Sequence, residues 1–270
     1  MPGGSSVVGD YLRARRGAVL PEDIGLPSSA NRRVAGLRRQ EVAERAGISP
    51  EYYLRLEQGR DQQPSDQVVA ALGRALLLDA DSLDYLRRIS RPMPARRRGS
   101  RPSAPPIDDV AHLLDNWTTA PAYVVDRNQD VVTANSLARA LAPHAMSPGA
   151  NIVRTMFLST DRNRFRHWER AARSAVAALR YHSDPADPRV REIVEDLSES
   201  ADFRRIWALH EARARSFGTV SAFVPSHGWT EFRWQSLEIP RSPGCVTTVY
   251  FGDRDSTAEA AIRSLSAATA

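Results

Sequence analysis

Lysine is absent from the chain of 270 residues, so all 37 cationic side chains are Arg. That excludes a P-loop lysine, a Schiff-base lysine and a Ser-x-x-Lys nucleophile. Cysteine occurs once, as Cys245, which rules out a disulfide framework and a multi-cysteine zinc site and fits a reducing compartment. No apolar run approaches the roughly 18 residues that span a membrane. The opening MPGGSSVVGDYL also lacks the basic start and apolar stretch of a signal peptide. A soluble, cytoplasmic protein without membrane insertion is therefore expected. The six histidines, His112, His144, His167, His182, His210 and His227, form no metal-ligand spacing, and neither a Gly-x-Ser-x-Gly elbow nor a Gly-x-Gly-x-x-Gly loop occurs. An enzymatic reading is left with little beyond His210-Glu211 beside Trp207, so no metal and no catalytic residue is expected.

What is present divides unevenly. Residues 1–100 hold 17 Arg against 12 acidic residues, whereas residues 101–270 hold 20 of each, so the net charge of +5 resides in the first hundred. Phosphate binding needs local positive charge, and only this half has it. The neutral half suits a different partner. It also holds all five Trp, namely Trp117, Trp168, Trp207, Trp229 and Trp234, which either fill a core or line a small-molecule pocket.

Residues 37–59, LRRQEVAERAGISPEYYLRLEQG, read as helix, tight turn and second helix. Val42 and Ala46 share a face, Ala43 admits a close neighbour, Gly47 suits a left-handed turn and Ile48 plugs the core beneath it. Ser49 is a good N-cap, Pro50 is favoured at the first helical position, and Tyr53 and Leu56 turn an apolar stripe inward. Glu51, Tyr52 and Arg55 are left facing outward. In a helix-turn-helix unit such residues meet base edges in the major groove, where Arg pairs bidentately with guanine. The alternative is a plain helical hairpin.

Around this motif the spacing predicts a first helix at 8–16 and, after it, a Gly/Pro/Ser-rich stretch with Ser28, Ser29 and the Arg32-Arg33 pair that either covers the bundle or lies along a DNA backbone. Two further helices are expected, capped by Ser65 and by Asp79 or Asp81. Five helices make a domain over 1–90, and residues 91–106, with Arg96, Arg97 and Arg98 among prolines, read as a linker. Residues 107–270 then alternate: a helix to Asn116, strands at 122–126 and 131–133, helices at 135–141, 164–179, 190–197 and 202–215, strands at 219–224, 229–237 and 246–251, and a last helix at 257–265. Strands at both ends of a helical middle predict an α+β domain with an antiparallel sheet. The chain is thus a multi-domain one, all-α and then α+β.

With Gly36-Leu37-Arg38-Arg39, Tyr52-Tyr53 and Arg55-Leu56-Glu57-Gln58-Gly59-Arg60 in order, the first domain resembles the Cro/repressor-type (XRE-family) helix-turn-helix, specifically that of the MmyB-like transcription regulators. The second domain resembles the same family's C-terminal domain through Asn135, Ala138–Leu141, Asn151-Ile152, Arg154, Phe157-Leu158, Trp168, Leu179-Arg180, Phe203-Arg204, Trp207 and His210. The resemblance implies a PAS-like sensor with a buried, fatty-acid-like ligand and no other cofactor. It further implies that Arg39, Ser49 and Arg60 hold phosphates, that Pro50, Glu51 and Arg55 face bases, and that Glu57 pairs structurally with Arg16. Candidate ligand contacts are Tyr123, Asn135, Phe157, Trp168, Trp207, His210 and Trp234.

Two positions depart from the family pattern. Arg38 stands where related units cap the first helix with Ser or Thr, so that cap is expected to be lost while the guanidinium gains reach toward phosphate. Val224 replaces the His of a His-Pro-x-x-Gly turn, here Val224-Pro225-Ser226-His227-Gly228. The resulting expectation is a regulator that binds double-stranded operator DNA as a homodimer and senses a small apolar ligand. Its alternative is a helix-turn-helix protein whose second domain engages another protein without ligand.

Overall fold

The computed structural model describes residues 6–27, 32, 34–61, 63–91, 107–158, 166–240, 242 and 244–269. Most of the expected linker, residues 92–106, lies outside them, as do Ser28, Ser29, Arg33 and the expected helix start at 164–165. The chain forms two compact units, Met1–Arg96 with Arg205–Arg213, and Arg97–Arg204 with Ala214–Ala270.

The first unit contains five helices, α1 (Val7–Ala18), α2 (Arg39–Ala46), α3 (Pro50–Glu57), α4 (Asp66–Ala75) and α5 (Ala80–Ile89), with a 3-10 turn at Pro21–Ile24. Side-chain caps start three of them as the sequence predicts: Ser49 Oγ accepts from Tyr52 N at 3.1 Å, Ser65 Oγ from Val68 N at 3.3 Å and Asp79 Oδ1 from Ser82 N at 2.8 Å. Gly47 ends α2 at φ +65, a left-handed conformation that a side chain disfavours. The apolar stripes meet in a core of Tyr11, Leu12, Leu37, Val42, Ala43, Tyr53, Leu56, Leu72, Leu76 and Leu86, all fully buried. Ile48 is only half-buried, so the plug beneath the turn is partial.

Helices α1 and α3 approach so closely that a Cβ on Gly9 would collide with the Glu57 carbonyl oxygen. The obstructing atoms, the Glu57 carbonyl carbon and oxygen and the Leu56 oxygen, are all backbone, so the helices themselves would have to part. Gly9→Ala is therefore expected to cost about 1–3 kcal/mol, read as a lower thermal midpoint of the full chain. An unchanged midpoint would show that the crossing tolerates spreading.

The second unit is built on one antiparallel sheet of β1 (Ala122–Val125), β2 (Val131–Ala134), β3 (Phe217–Val224), β4 (Gly228–Glu238) and β5 (Val246–Phe251) in the order β2-β1-β5-β4-β3. Helix α6 (Ile107–Asp115) precedes it and α12 (Thr257–Thr269) follows it. Between β2 and β3 lie α7 (Ser136–Leu141), α8 (Ile152–Leu158), α9 (Trp168–His182), α10 (Pro188–Leu197) and α11 (Ala201–Trp207). This is the expected α+β arrangement with an antiparallel sheet. Directly opposed residues share a face of a sheet, and the pairs Tyr123↔Thr248 and Trp234↔Tyr250 put Tyr123, Thr248, Tyr250, Trp234 and Phe232 on one buried face. On the other face Ala122 and Val124 pack with Leu114 of α6, while Phe217, Phe223, Trp229 and Leu237 of β3 and β4 are exposed.

Several elements differ from expectation, among them α12, which runs to Thr269 rather than 265. Helix α8 was not anticipated; its seven residues bury Ile152, Val153, Met156 and Phe157. Helix α9 ends at His182 rather than Leu179. The helix expected over 202–215 stops at Trp207, and His210 adopts φ +50. Residues 208–215 favour helix by propensity, but tertiary demands override that weak preference: Ala212 is buried and Arg215 reaches the sheet. The turn at Pro225–His227 is kept, with His227 N donating to Val224 O at 3.0 Å and Gly228 at φ +67.

Candidate functional site

The outer face of α3 and the start of α2 form one exposed surface. Arg38, Arg39, Ser49, Pro50, Glu51, Arg55 and Arg60 are exposed and Tyr52 is half-buried. The Arg55 guanidinium lies 5.4 Å above the Tyr52 ring, a cation–π contact that steadies it without consuming its N–H groups. Arg38 makes no side-chain cap, but its backbone N–H donates to Glu41 Oε2 at 2.6 Å, so half of a capping box survives where the cap was expected to be lost. Glu41 also binds Arg32, at 2.7 and 2.9 Å, and Arg32 Nη2 donates to the Gly36 carbonyl. Arg32 is thereby committed to the fold rather than free for a backbone contact. Those Arg32 hydrogen bonds hold the Glu41 carboxyl below its ordinary range.

Beneath this surface Glu57 is the organising charge. Its carboxylate is fully buried and receives Arg16 Nε at 2.6 Å and Arg39 Nε at 2.7 Å. Burial alone would raise its pKa, but the hydrogen bonds from Arg16 and Arg39 outweigh it and hold the carboxyl low. The Arg16 pairing matches expectation. That Arg39 shares the same carboxylate is new, and it fixes a half-exposed guanidinium at the edge of the surface.

The second unit sorts the seven ligand candidates into different places. Asn135 leaves the set: its Oδ1 accepts from Ala122 N and Ala138 N at 3.0 and 2.9 Å, and its Nδ2 donates to Trp117 O and Ala120 O at 3.0 and 2.8 Å. Every hydrogen bond an amide usually makes is consumed, so it caps α7 and pins the chain entering β1. Phe157 and Trp168 meet edge to face at 5.4 Å, Phe157 meets Phe203 at 5.2 Å, and Trp168 Nε1 donates to Met156 O. Trp207 and His210 fall in the stretch Arg205–Arg213 that groups with the first unit, not with the other candidates. Within that unit, Ser82 Oγ donates to Ala212 O at 3.5 Å and Arg213 lies 3.5 Å from Asp79.

Tyr123 and Trp234 do come together, around two residues that sequence reasoning missed. Tyr123 stacks on Tyr250 at 6.0 Å, Arg215 lies 4.6 Å above the Trp234 ring, and Arg215 Nη2 donates to the Tyr250 hydroxyl at 3.3 Å. Burial pushes the Tyr250 phenol well above its ordinary pKa, so it stays a neutral hydroxyl. The Nε–H of Arg215 is buried without a partner, and among the described residues no carboxylate pairs with this cation. A desolvated guanidinium costs several kcal/mol, whereas a buried cation–π contact returns about 2. No pattern distinguished Arg215 in the sequence from the other arginines.

Residues 108–265 match the MmyB-like transcription regulator ligand binding domain, and residues 7–86 match a helix-turn-helix domain. No protein of curated function matches the chain. A solved structure titled as that of an RNA-binding Light-Oxygen-Voltage receptor is similar at 12% identity and a TM-score of 0.26, over 85% of this chain and 56% of that one. The chain thus spans little more than half of that receptor. No described helix is long and apolar enough to cross a membrane, and no group of His, Cys, Asp or Glu among the described residues is arranged to hold a metal ion.

Proposed function

From the premise that the chain belongs to the MmyB-like transcription regulators, with a helix-turn-helix ahead of a ligand-binding domain, we propose a one-component sensor that reads operator DNA through α3. As a homodimer it would span two half-sites, since one helix-turn-helix covers only one. The ligand is read as a small, largely apolar molecule of fatty-acid type, a reading supported by the aromatic interior of the second unit. Occupancy alters operator affinity if the ligand binds DNA-competent and DNA-incompetent states unequally.

The observation that carries this reading is the position of Arg55, exposed on α3 while Tyr53 and Leu56 of the same helix are fully buried. On an operator selected from a genomic pool, Arg55→Ala is expected to cost about 1–3 kcal/mol at one base position and relax specificity there. Arg39→Ala should instead weaken all duplexes together and lower the salt slope by about one unit. Equal loss on every sequence for Arg55→Ala would make it a phosphate contact; no preference for any duplex at low ionic strength would overturn the regulator reading.

A second reading is favoured by one feature, the exposed Phe217, Phe223, Trp229 and Leu237 on the outer face of β3 and β4: the second domain as a protein-interaction module without ligand. Native mass spectrometry before and after denaturation separates the two. A co-purifying lipid-like mass supports the sensor, and a persistently empty protein supports the module.

A further inference from the structure

We propose that Arg215 anchors the charged head of the ligand, a carboxylate carried on an apolar chain. This deepens the sensor reading and rests on it. Arg215 is half-buried, with its Nε–H fully buried and without a partner, and no acidic group among the described residues balances the charge. Its neighbours supply neutral groups: the Tyr250 hydroxyl at Nη2, the Tyr123 phenol and the Trp234 ring against its flat face.

That arrangement is directional. Stacking on Trp234 occupies the face of the guanidinium and Tyr250 takes one in-plane N–H of Nη2, which leaves the rest of the in-plane edge, the unpartnered Nε–H included, for a planar carboxylate that accepts two parallel hydrogen bonds. One positive charge balances one negative charge, so a doubly ionised phosphate would be left half-compensated. The surrounding sheet face of Tyr123, Phe232 and Trp234 is buried and largely apolar, which suits an amphiphile rather than a small hydrophilic acid. Tyr250 then serves as a hydroxyl beside the head group, its proton retained by burial.

Isothermal titration of the full chain with decanoate, 1-decanol and decyl phosphate tests this. Decanoate should bind at least about tenfold more tightly than 1-decanol, and Arg215→Gln should abolish that preference while shifting decanol affinity by no more than about twofold. Arg215→Lys should keep part of it, because the charge remains while the fork is lost. Equal binding of acid and alcohol by the parent chain, an acid preference surviving in Arg215→Gln, or a preference for decyl phosphate would each overturn the proposal. Binding of none of the three would instead sink the ligand reading on which it rests. Should Arg215→Gln not fold, the parent chain alone decides: decanoate must raise its thermal midpoint more than 1-decanol does at equal concentration.

Discussion

Glu57→Gln is expected to destabilise the helix-turn-helix unit by about 3–5 kcal/mol, the cost of leaving one partner of a buried ion pair uncompensated. The substitution keeps the shape of the side chain and removes only its charge, so packing loss cannot account for the effect. Arg16, with a side chain only 12% exposed, would face a neutral amide where it now meets a carboxylate at 2.6 Å. Arg39 loses the same partner but is half-exposed, and water compensates it. Arg39→Ala should therefore cost far less stability than Glu57→Gln, even though both break a contact to the same carboxylate. Thermal unfolding of the full chain followed by circular dichroism measures both, and midpoints that coincide with the parent would show the triad to be incidental.

The same group sets a pH dependence. Its folded pKa lies below the ordinary 4.5, so its contribution is complete above about pH 4.5 and disappears as pH falls through the lower, folded value. Stability of the parent should drop steeply in that acid window, and Glu57→Gln should flatten the drop. A mutant with the parent's acid profile would assign the transition to other carboxylates, of which Glu41, held low by Arg32, is the nearest in kind.

How far the sequence reaches follows from where its signals are local. The helix-turn-helix was legible because Gly47, Ser49, Ser65 and Asp79 act on residues within one turn of themselves, and because each apolar stripe keeps the helical period. Strand β5 likewise falls where expected, at Val246–Phe251. Helix α8 escaped notice because its seven residues, with β-prone Ile152, Val153 and Phe157 around Arg154 and Thr155, are too short for their period to tell strand from helix. The overrun at 208–215 has the opposite cause: a helix-forming stretch is bent by what it must reach, Ala212 into a core and Arg215 onto Trp234. Arg215 and Tyr250 are 35 positions apart, and only sheet register brings Tyr250, Trp234 and Tyr123 into one group.

Asn135 shows the converse, a local signal read for the wrong purpose. Asn ahead of the periodic Leu137, Ala138 and Leu141 is an N-cap pattern, and the structure uses it as one. Asn135→Ala is expected to cost about 3–5 kcal/mol: up to ~2 for the cap, and about 1–3 for each buried group left unsatisfied, reduced because the losses are not additive. The buried Ala122 N–H is the worst affected, since Ala122 begins the interior strand β1 and is fully buried. Asn135→Asp separates the roles further. A carboxylate still accepts from Ala122 N and Ala138 N but cannot donate to the carbonyls of Trp117 and Ala120, which it would repel. It should therefore remain destabilised, and should recover in part as acid restores a proton to the side chain. If Asn135 instead contacted ligand, both variants would keep the parent's melting midpoint and lose decanoate affinity alone. A lower midpoint with unchanged affinity of the folded fraction is the outcome that four hydrogen bonds to the protein's own backbone require.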